Sequence, residues 1–266
     1  PGVWLEVYTE RKPFEERLGK VNVVDFDDVD TAAADVVPFE ADRYKAKLGV
    51  VITGKDGQYA GRTFGYPNDY VPTSKPNSYA PGPKSDQGKG EGGFETAVTF
   101  FVGDRESAVA GFGAVFIDAD YPNYGLCRLG VHGPDGQELA EVKGFSGKSA
   151  SQLFRGVVAV NEAGRPVAVI RKVAIVNGTG WPSSSRAEGV TLDDFVFGQP
   201  TAVGALVAQN GPATTKAPTP KPAAPEQPST TSSPMPTRRQ CSLAVSRPHL
   251  MSWYVLEMKF FSLMRP

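Results

Sequence analysis

Aspartates concentrate in three short segments of this sequence, and carboxylate oxygens are the ligands that calcium prefers in proteins. A calcium ion takes six to eight oxygen ligands, so carboxylates from separate segments would have to meet in the fold. No EF-hand loop pattern is present, and the alternative is that these residues are solvated aspartates at strand ends and turns that bond to local N–H groups. The segments hold Asp25, Asp27, Asp28 and Asp30; Asp118 and Asp120; and Asp193 and Asp194.

Catalytic motifs are absent from the sequence. The only two histidines are His132 and His249, and there is neither a G-x-S-x-G nucleophile elbow nor an H-E-x-x-H zinc motif. Glycoside hydrolysis needs only two carboxylates facing each other across a groove, and several carboxylates could supply such a pair. The sequence therefore predicts a protein without catalytic activity and leaves a glycan-active hydrolase or lyase as the alternative. The candidate carboxylates are Glu95, Asp118, Asp120, Glu138 and Glu141.

Aromatic side chains in the segments between strands are candidates for ligand binding. Sugar rings present apolar C–H faces that stack on tyrosine and tryptophan, and aromatics on loops favour contact surfaces. The alternative is that these rings cover the ends of the hydrophobic core. We expect the ligand-binding residues to be Tyr66, Tyr70, Tyr121, Tyr124 and Trp181.

Charge balance excludes some partners. The 266 residues contain 28 Lys and Arg against 29 Asp and Glu, for a net charge of -1. A protein that binds duplex nucleic acid needs a basic face, so no nucleic-acid partner is expected. No segment reaches the roughly 18 apolar residues of a membrane span. The two cysteines, Cys127 and Cys241, do not form a disulfide framework.

The sequence predicts that short strands, preceded by one helix, position these residues. Residues 11–19 have Phe14 and Leu18 four apart on one helical face, and from residue 21 the apolar period changes to two. Gly- and Asp-containing turns separate the strands, which is typical of a sandwich or barrel. We therefore predict an all-β, two-sheet antiparallel jelly-roll sandwich with a short N-terminal helix. The strand candidates are 21–26, 47–53, 94–102, 108–118, 126–132, 137–142, 152–160, 167–176 and 190–197.

Strict alternation in the last strand makes a finer prediction. Asp193 should share one face with Phe195 and Phe197, while Asp194 should point to the opposite face with Leu192 and Val196.

Composition divides the chain into four parts. Residues 1–10 are expected to be a truncated or extended N-terminal segment, and 11–199 are predicted to form the β-sandwich domain. Within that domain, residues 54–93 do not resemble strands and are expected to form a long loop. Residues 200–237 are rich in Pro, Thr and Ser and are predicted to be a disordered linker. Residues 238–266 are a tail of uncertain origin.

Several segments, in their order and spacing, carry a resemblance to a known family. They are 14–19 (FEERLG), 24–28 (VDFDD), 111–118 (GFGAVFID), 154–157 (FRGV), 173–175 (VAI) and 192–198 (LDDFVFG). Over residues 11–199 they resemble the extracellular jelly-roll domain of many bacterial proteins that carry a PEP-CTERM sorting signal. The resemblance implies a secreted, lectin-like β-sandwich. Carbohydrate-binding jelly rolls often hold a structural Ca²⁺ where the first and last strands meet, and the resemblance places Asp25, Asp27, Asp28, Asp193 and Asp194 there.

These observations together predict a non-catalytic binding module at the cell surface or outside the cell. Its expected partner is a polysaccharide or glycoconjugate, and its expected cofactor is a structural Ca²⁺. A structural or adhesive surface module, which would use protein contacts, is a further alternative and predicts a flat apolar patch.

Overall fold

A computed structural model of the chain describes residues 2–62, 64, 71–82, 95–119, 127–148, 150–177 and 190–202. The expected linker and tail beyond residue 202 lie outside the described residues. The elements are, in chain order, β1 (Val3–Tyr8), α1 (Arg11–Leu18), β2 (Val21–Val24), β3 (Val36–Pro38), α2 (Lys45–Leu48), β4 (Val50–Gly54), β5 (Gln58–Gly61), β6 (Ser78–Pro81), β7 (Glu95–Val102), β8 (Arg105–Ala108), β9 (Gly111–Ile117), β10 (Cys127–His132), β11 (Glu138–Phe145), β12 (Gln152–Asn161), β13 (Lys172–Val176), β14 (Thr191–Gly198) and β15 (Thr201–Ala202).

The strands form two sheets in which the described pairings are all antiparallel. The 8-stranded sheet has the order β1-β12-β9-β14-β6-β5-β3, with β2 also paired to β14. The 7-stranded sheet has the order β11-β10-β13-β7-β8-β15, with β4 also paired to β7. The predicted all-β sandwich with a short N-terminal helix is confirmed.

The main hydrophobic core lies between the sheets. Aromatic rings dominate one end of it, where Phe26 contacts the rings of Phe39, Tyr44, Tyr79 and Phe195 with centroids 5.1–6.0 Å apart. Alternate residues of the strands supply the core, as period-two patterning requires. In β10, for example, Cys127, Leu129 and Val131 belong to it.

The opposite face of the 8-stranded sheet is covered by α1. Phe14 is fully buried there and packs in a second cluster with Phe154, while Leu18 packs against the same cluster. The predicted helical face is therefore confirmed. Gly113 and Gly156 pair directly across β9 and β12. A side chain at Gly156 would meet the Phe14 and Phe154 rings, so this glycine lets the helix approach the sheet closely.

Two strands lie in the segment that was expected to be a long loop. Residues 58–61 and 78–81 pair with each other as β5 and β6, so that part of the prediction was wrong. Their short polar and glycine-containing sequences lack an alternating apolar pattern, and the pairing comes from the neighbouring strands. The sheet also extends beyond the predicted domain of residues 11–199, because β1 pairs with β12 along its whole length. Within the described part of the chain, no helix combines the length and apolarity needed to cross a membrane.

Candidate functional site

A groove of about 220 Å³ lies on the outer face of the 7-stranded sheet. In β10 and β13 its residues alternate with the core residues, which places them on the face of the sheet that points away from the main core. The pairing registers arrange them in three rows across the strands. The rows are Arg128, Val176 and Glu95; Glu141, Gly130 and Ala174; and Glu138, His132 and Lys172.

Gly130 and Ala174 of the middle row supply the floor of the groove because their side chains are small, whereas the third member of the row, Glu141, is long and charged. Gly130 is opposite Ala174 on one side and Glu141 on the other. A Cβ atom at Gly130 would lie 3.7 Å from the Ala174 carbonyl oxygen, 3.7 Å from His132 Nε2 and 3.9 Å from Glu138 Oε2. An imidazole and a carboxylate therefore converge above the glycine, within van der Waals range of the position that a methyl group would take.

Both hydrogen-bond acceptors and donors surround this floor. Glu141 forms ion pairs with Arg128 at 3.6 Å and with Lys143 at 3.0 Å. Among the residues that the structure describes, Glu95 and Lys172 form no ion pair within 4.0 Å, although both are exposed. The groove can therefore offer free carboxylate oxygens and a free ammonium group to a polar ligand.

Three of the five carboxylates proposed for glycoside hydrolysis meet in this groove, namely Glu95, Glu138 and Glu141. Asp118 lies elsewhere, at the end of β9, where its Oδ1 accepts a hydrogen bond from the backbone N–H of Ala150 at 2.7 Å. Asp120 lies outside the described residues.

The two acidic segments of the predicted calcium site are brought close by strand pairing. The first segment follows β2, the second lies in β14, and β2 pairs with β14. Val24 is opposite Phe195 in the β2–β14 pair. The pairing of β14 with β9 contains a bulge between Asp193 and Val196, and Asp194 has a left-handed φ of 45°. The sequence predicted that Leu192 and Phe195 lie on opposite faces of this strand. Both belong to the main core, so the bulge breaks the predicted alternation.

Asp193 is fully buried and accepts several hydrogen bonds. Its Oδ2 accepts the backbone N–H groups of Thr73 at 2.7 Å and Ser74 at 3.1 Å, and its Oδ1 accepts the N–H of Asp194 at 2.8 Å. Burial raises the pKa of Asp193 to about 8, the Asp194 carboxylate adds to the rise, and these N–H donors oppose it. Asp193 therefore holds the segment around residues 73 and 74 against the last long strand.

The other acidic residues have different partners. Asp194 Oδ2 accepts a hydrogen bond from Arg11 at 2.7 Å, and burial raises the pKa of Asp194 while the Arg11 charge opposes this. Asp27 Oδ1 accepts the N–H of Asn77 at 2.9 Å, and burial likewise raises the pKa of Asp27, with the Asp25 charge adding to it.

Asp28 belongs to a separate network. Its carboxylate accepts hydrogen bonds from the Tyr44 hydroxyl at 2.7 Å and from Arg43 Nε at 3.1 Å. Burial and the Asp28 bond raise the pKa of Tyr44.

Calcium at this cluster remains a prediction. The residues fall into two groups, with Asp25, Asp27, Asp193 and Asp194 around Ser74 and Asp28 beside Tyr44. Within the described ranges, no three His, Cys, Asp or Glu side chains are arranged to hold a metal ion. A cation that bound at Asp193 would have to share oxygens that already accept three backbone N–H groups.

The predicted aromatic ligand-binding residues all fall outside the described residues, and their prediction stands as made. They are Tyr66, Tyr70, Tyr121, Tyr124 and Trp181.

The floor of the groove was missed by sequence reasoning, which considered its carboxylates and His132 only for catalysis. A signal was present in β10, whose outward positions read Arg128, Gly130 and His132, a glycine between two long polar residues. In neighbouring β13 the corresponding positions are Lys172, Ala174 and Val176, again with a small residue in the middle.

No protein-family model, curated protein or solved structure matches this chain.

Proposed function

We propose that this chain is a non-catalytic extracellular module that binds carbohydrate in the groove on the outer face of the 7-stranded sheet. The observation that carries the proposal is the groove of about 220 Å³ in which His132 Nε2 and Glu138 Oε2 converge above Gly130, 3.7 and 3.9 Å from the position that a Cβ atom would take there. A sugar hydroxyl both donates and accepts hydrogen bonds, and a groove that mixes carboxylates with basic side chains satisfies both roles.

The small floor residues suit a ring-shaped polar ligand. Gly130 and Ala174 have the smallest side chains of the groove, so the hydroxyls of a bound sugar ring can reach the longer side chains on either side of them. Carbohydrate binding was expected from the sequence on the strength of loop aromatics. The groove supports the same function through other residues.

Extracellular location is part of the proposal. It is supported by the Pro-, Thr- and Ser-rich composition of residues 200–237 and by the resemblance to jelly-roll domains of PEP-CTERM proteins.

The test is a glycan array probed with the full-length chain, followed by affinity measurement on any sugar that binds. We expect Gly130→Val to weaken binding at least about tenfold, which corresponds to about 1.4 kcal/mol, because its methyl groups fill the floor. Gly130→Ala, which adds a single methyl group, should have a smaller effect. Thermal unfolding of both variants checks that the fold is intact. Failure of any glycan to bind above background would refute the proposal, and so would binding that Gly130→Val leaves unchanged.

A glycan-active hydrolase is the second candidate, and the observation that favours it is the presence of Glu138, Glu141 and His132 in one groove. Two carboxylates that face a glycosidic bond are the minimum for its hydrolysis. Release of reducing ends from a bound glycan would establish activity, and Glu138→Gln should abolish it. Glu106→Gln is the matched control, because Glu106 is a carboxylate of the same sheet outside the groove.

A further inference from the structure

We infer that the chain forms a two-fold symmetric dimer in which β1 pairs antiparallel with β1 of a second copy, so that the two 8-stranded sheets join edge to edge. Neither the groove nor a bound ligand takes part in this contact. Three features of β1 support it: an unpaired edge, exposed apolar side chains and a register that is complementary to itself.

The outer edge of β1 lacks the usual protection against pairing with another strand. β1 is an end strand of the 8-stranded sheet, and no strand in the described part of the chain pairs with its outer side. Its pairing with β12 is continuous from Val3 to Tyr8, and it contains neither proline nor lysine. Bulges, prolines and lysines commonly protect end strands, and β3 at the other end of the sheet has only three residues and ends in Pro38. β1 is therefore the end of this sheet that can accept a further strand.

Exposed apolar side chains concentrate on the same strand. Val3 is 43% exposed, Trp4 61% and Val7 54%, and they are three of the five large hydrophobic residues that are exposed in the described ranges. Single exposed hydrophobic residues are ordinary, whereas three on one strand of six residues form a patch that favours a protein contact. β1 also contacts β11, an end strand of the other sheet, so this edge of the sandwich offers a partner more area than β1 alone.

The hydrogen bonds of β12 indicate which backbone groups of β1 point inward. Ala159 donates its N–H to the carbonyl oxygen of Ala110, which precedes β9 on the side of β12 away from β1. Successive residues of a strand direct their N–H and C=O groups to alternate sides, so the groups of Val158 point toward β1. The register partner of Val158 is Glu6, whose N–H and C=O groups therefore point inward to β12.

The residues of β1 that alternate with Glu6 direct their backbone groups outward. These are Val3, Leu5 and Val7, whose N–H and C=O groups are available to a further strand. Their side chains lie on the core-facing side of the sheet, since Leu5 packs against the main core, whereas Glu6 lies on the opposite side and bonds to Arg17 of α1. Outward hydrogen-bonding groups and exposed valines thus belong to the same residues.

A two-fold axis at Leu5 makes this edge complementary to itself. Antiparallel pairing then sets Leu5 opposite the partner's Leu5, and Val3 opposite the partner's Val7, in three pairs that exchange about six hydrogen bonds. In the same arrangement, the exposed Val3 and Val7 side chains cover each other across the new strand pair. A register shifted by two residues retains only two hydrogen-bonded pairs within β1 and leaves a valine of each copy without a partner in the strand.

The charged residue of β1 favours the same register. Trp4 lies opposite the partner's Glu6, in the kind of antiparallel pair whose side chains are closest. Arg17 donates to Glu6 through Nε at 2.8 Å and Nη2 at 2.9 Å, and a guanidinium interacts favourably with the face of an indole ring. A shift by two residues in one direction would instead set the two Glu6 carboxylates opposite each other, where like charges repel.

The experiment is sedimentation velocity on the full-length chain at pH 7, from about 1 to about 200 µM. We expect an equilibrium of monomer and dimer without larger species, because two-fold pairing closes the interface. Val7→Lys should raise the dissociation constant at least about tenfold, because lysine at a strand edge opposes pairing. Val102→Lys is the matched control and should leave the dissociation constant unchanged, since Val102 is an equally exposed valine, at 45%, in the other sheet. Thermal unfolding checks that both variants fold.

Cysteine crosslinking tests the register. In a Cys241→Ser background, a mixture of Val3→Cys and Val7→Cys chains should form an intermolecular disulfide under mild oxidation, whereas neither variant should do so by itself. Cys127 is buried and is retained in all of these chains.

Several results would overturn the dimer. One is a monomer throughout the concentration range, a second is a dimer that Val7→Lys leaves unchanged, and a third is an assembly that keeps growing beyond two copies. Crosslinking of Val3→Cys by itself, as readily as in the mixture, would overturn the two-fold register.

Discussion

Gly156→Ala should destabilise the protein because of the way that α1 is seated on the 8-stranded sheet. A Cβ atom at position 156 would lie 2.7 Å from Cδ2 of Phe14 and 2.9 Å from Cε1 of Phe154. Carbon atoms in favourable contact are about 3.5–4.0 Å apart, so both rings would have to move by most of an ångström. Phe14 is 0% exposed and Phe154 is 7% exposed, which leaves them little room.

The size of the effect follows from two opposing terms. Inserting a methyl group into a packed core costs about 1–3 kcal/mol. Replacing a strand glycine by alanine returns about 0.5–1 kcal/mol through the smaller loss of backbone entropy. Gly156→Ala should therefore lower the free energy of unfolding by about 1–2 kcal/mol.

Gly130→Ala is the matched control, because it is the same chemical change in a strand of the other sheet. Its Cβ atom would meet nothing closer than 3.7 Å, so only the favourable entropy term applies. The two variants should differ by about 1–3 kcal/mol in urea unfolding of the full-length chain, followed by tryptophan fluorescence. In thermal unfolding, each kcal/mol should move the midpoint by about 2–4 °C.

Equal stability of the two variants would show that the rings of Phe14 and Phe154 do not rest on Gly156. A double-mutant cycle sharpens the test, since Phe14→Leu should reduce the cost of Gly156→Ala if the contact exists. An unchanged cost in that background would also contradict the seating of the helix.

Three further predictions concern the acidic cluster and its surroundings. Because the folded state raises the pKa of Asp193 from 3.8 to about 8, the protein in EDTA should lose free energy of unfolding as the pH rises between those values. Urea unfolding at pH 5.5 and 8.5 measures this loss, which should shrink in Asp193→Asn and persist in Asp104→Asn, a change at a side chain that is 99% exposed. If calcium binds the cluster, millimolar Ca²⁺ at a hundredfold excess over its dissociation constant should add about 2.7 kcal/mol to the free energy of unfolding, and Asp27→Ala should remove that gain. Equal melting midpoints in Ca²⁺ and EDTA would count against the site. Asn77→Ala should cost about 3 kcal/mol or more, because the buried Asn77 amide donates to two backbone carbonyls at 2.8 and 3.0 Å and also accepts a hydroxyl hydrogen bond. A loss below about 1 kcal/mol in chemical denaturation would contradict that last assignment.

Bound calcium should also change how the stability of the protein depends on pH. A bound cation favours the ionised carboxylate, so Ca²⁺ should flatten the pH dependence that is seen in EDTA. The same pH slope with and without Ca²⁺ would indicate that the cluster is stabilised by hydrogen bonds alone.

Local sequence pattern determined much of the fold. Period-two apolar alternation and glycine-containing turns predicted most of the long strands, and Phe14 and Leu18 predicted the buried face of the helix, because these signals act between residues a few positions apart. The β1 strand also had a readable signal in its Val, Trp and Tyr residues, which sequence reasoning did not use.

Tertiary structure decided the features that depend on pairing between distant strands. The bulge at Asp194 arises from the register of β14 against β9, and it overrides the alternation that a single strand implies. Gly130 becomes the floor of a groove only because β10 lies between β11 and β13, which places Glu141 on one side of it and Ala174 on the other. Strand periodicity and turn residues predicted a sandwich, whereas the strand order determined which carboxylates face a common groove, because neighbours in a sheet are set by hydrogen-bond pairing and not by distance along the chain.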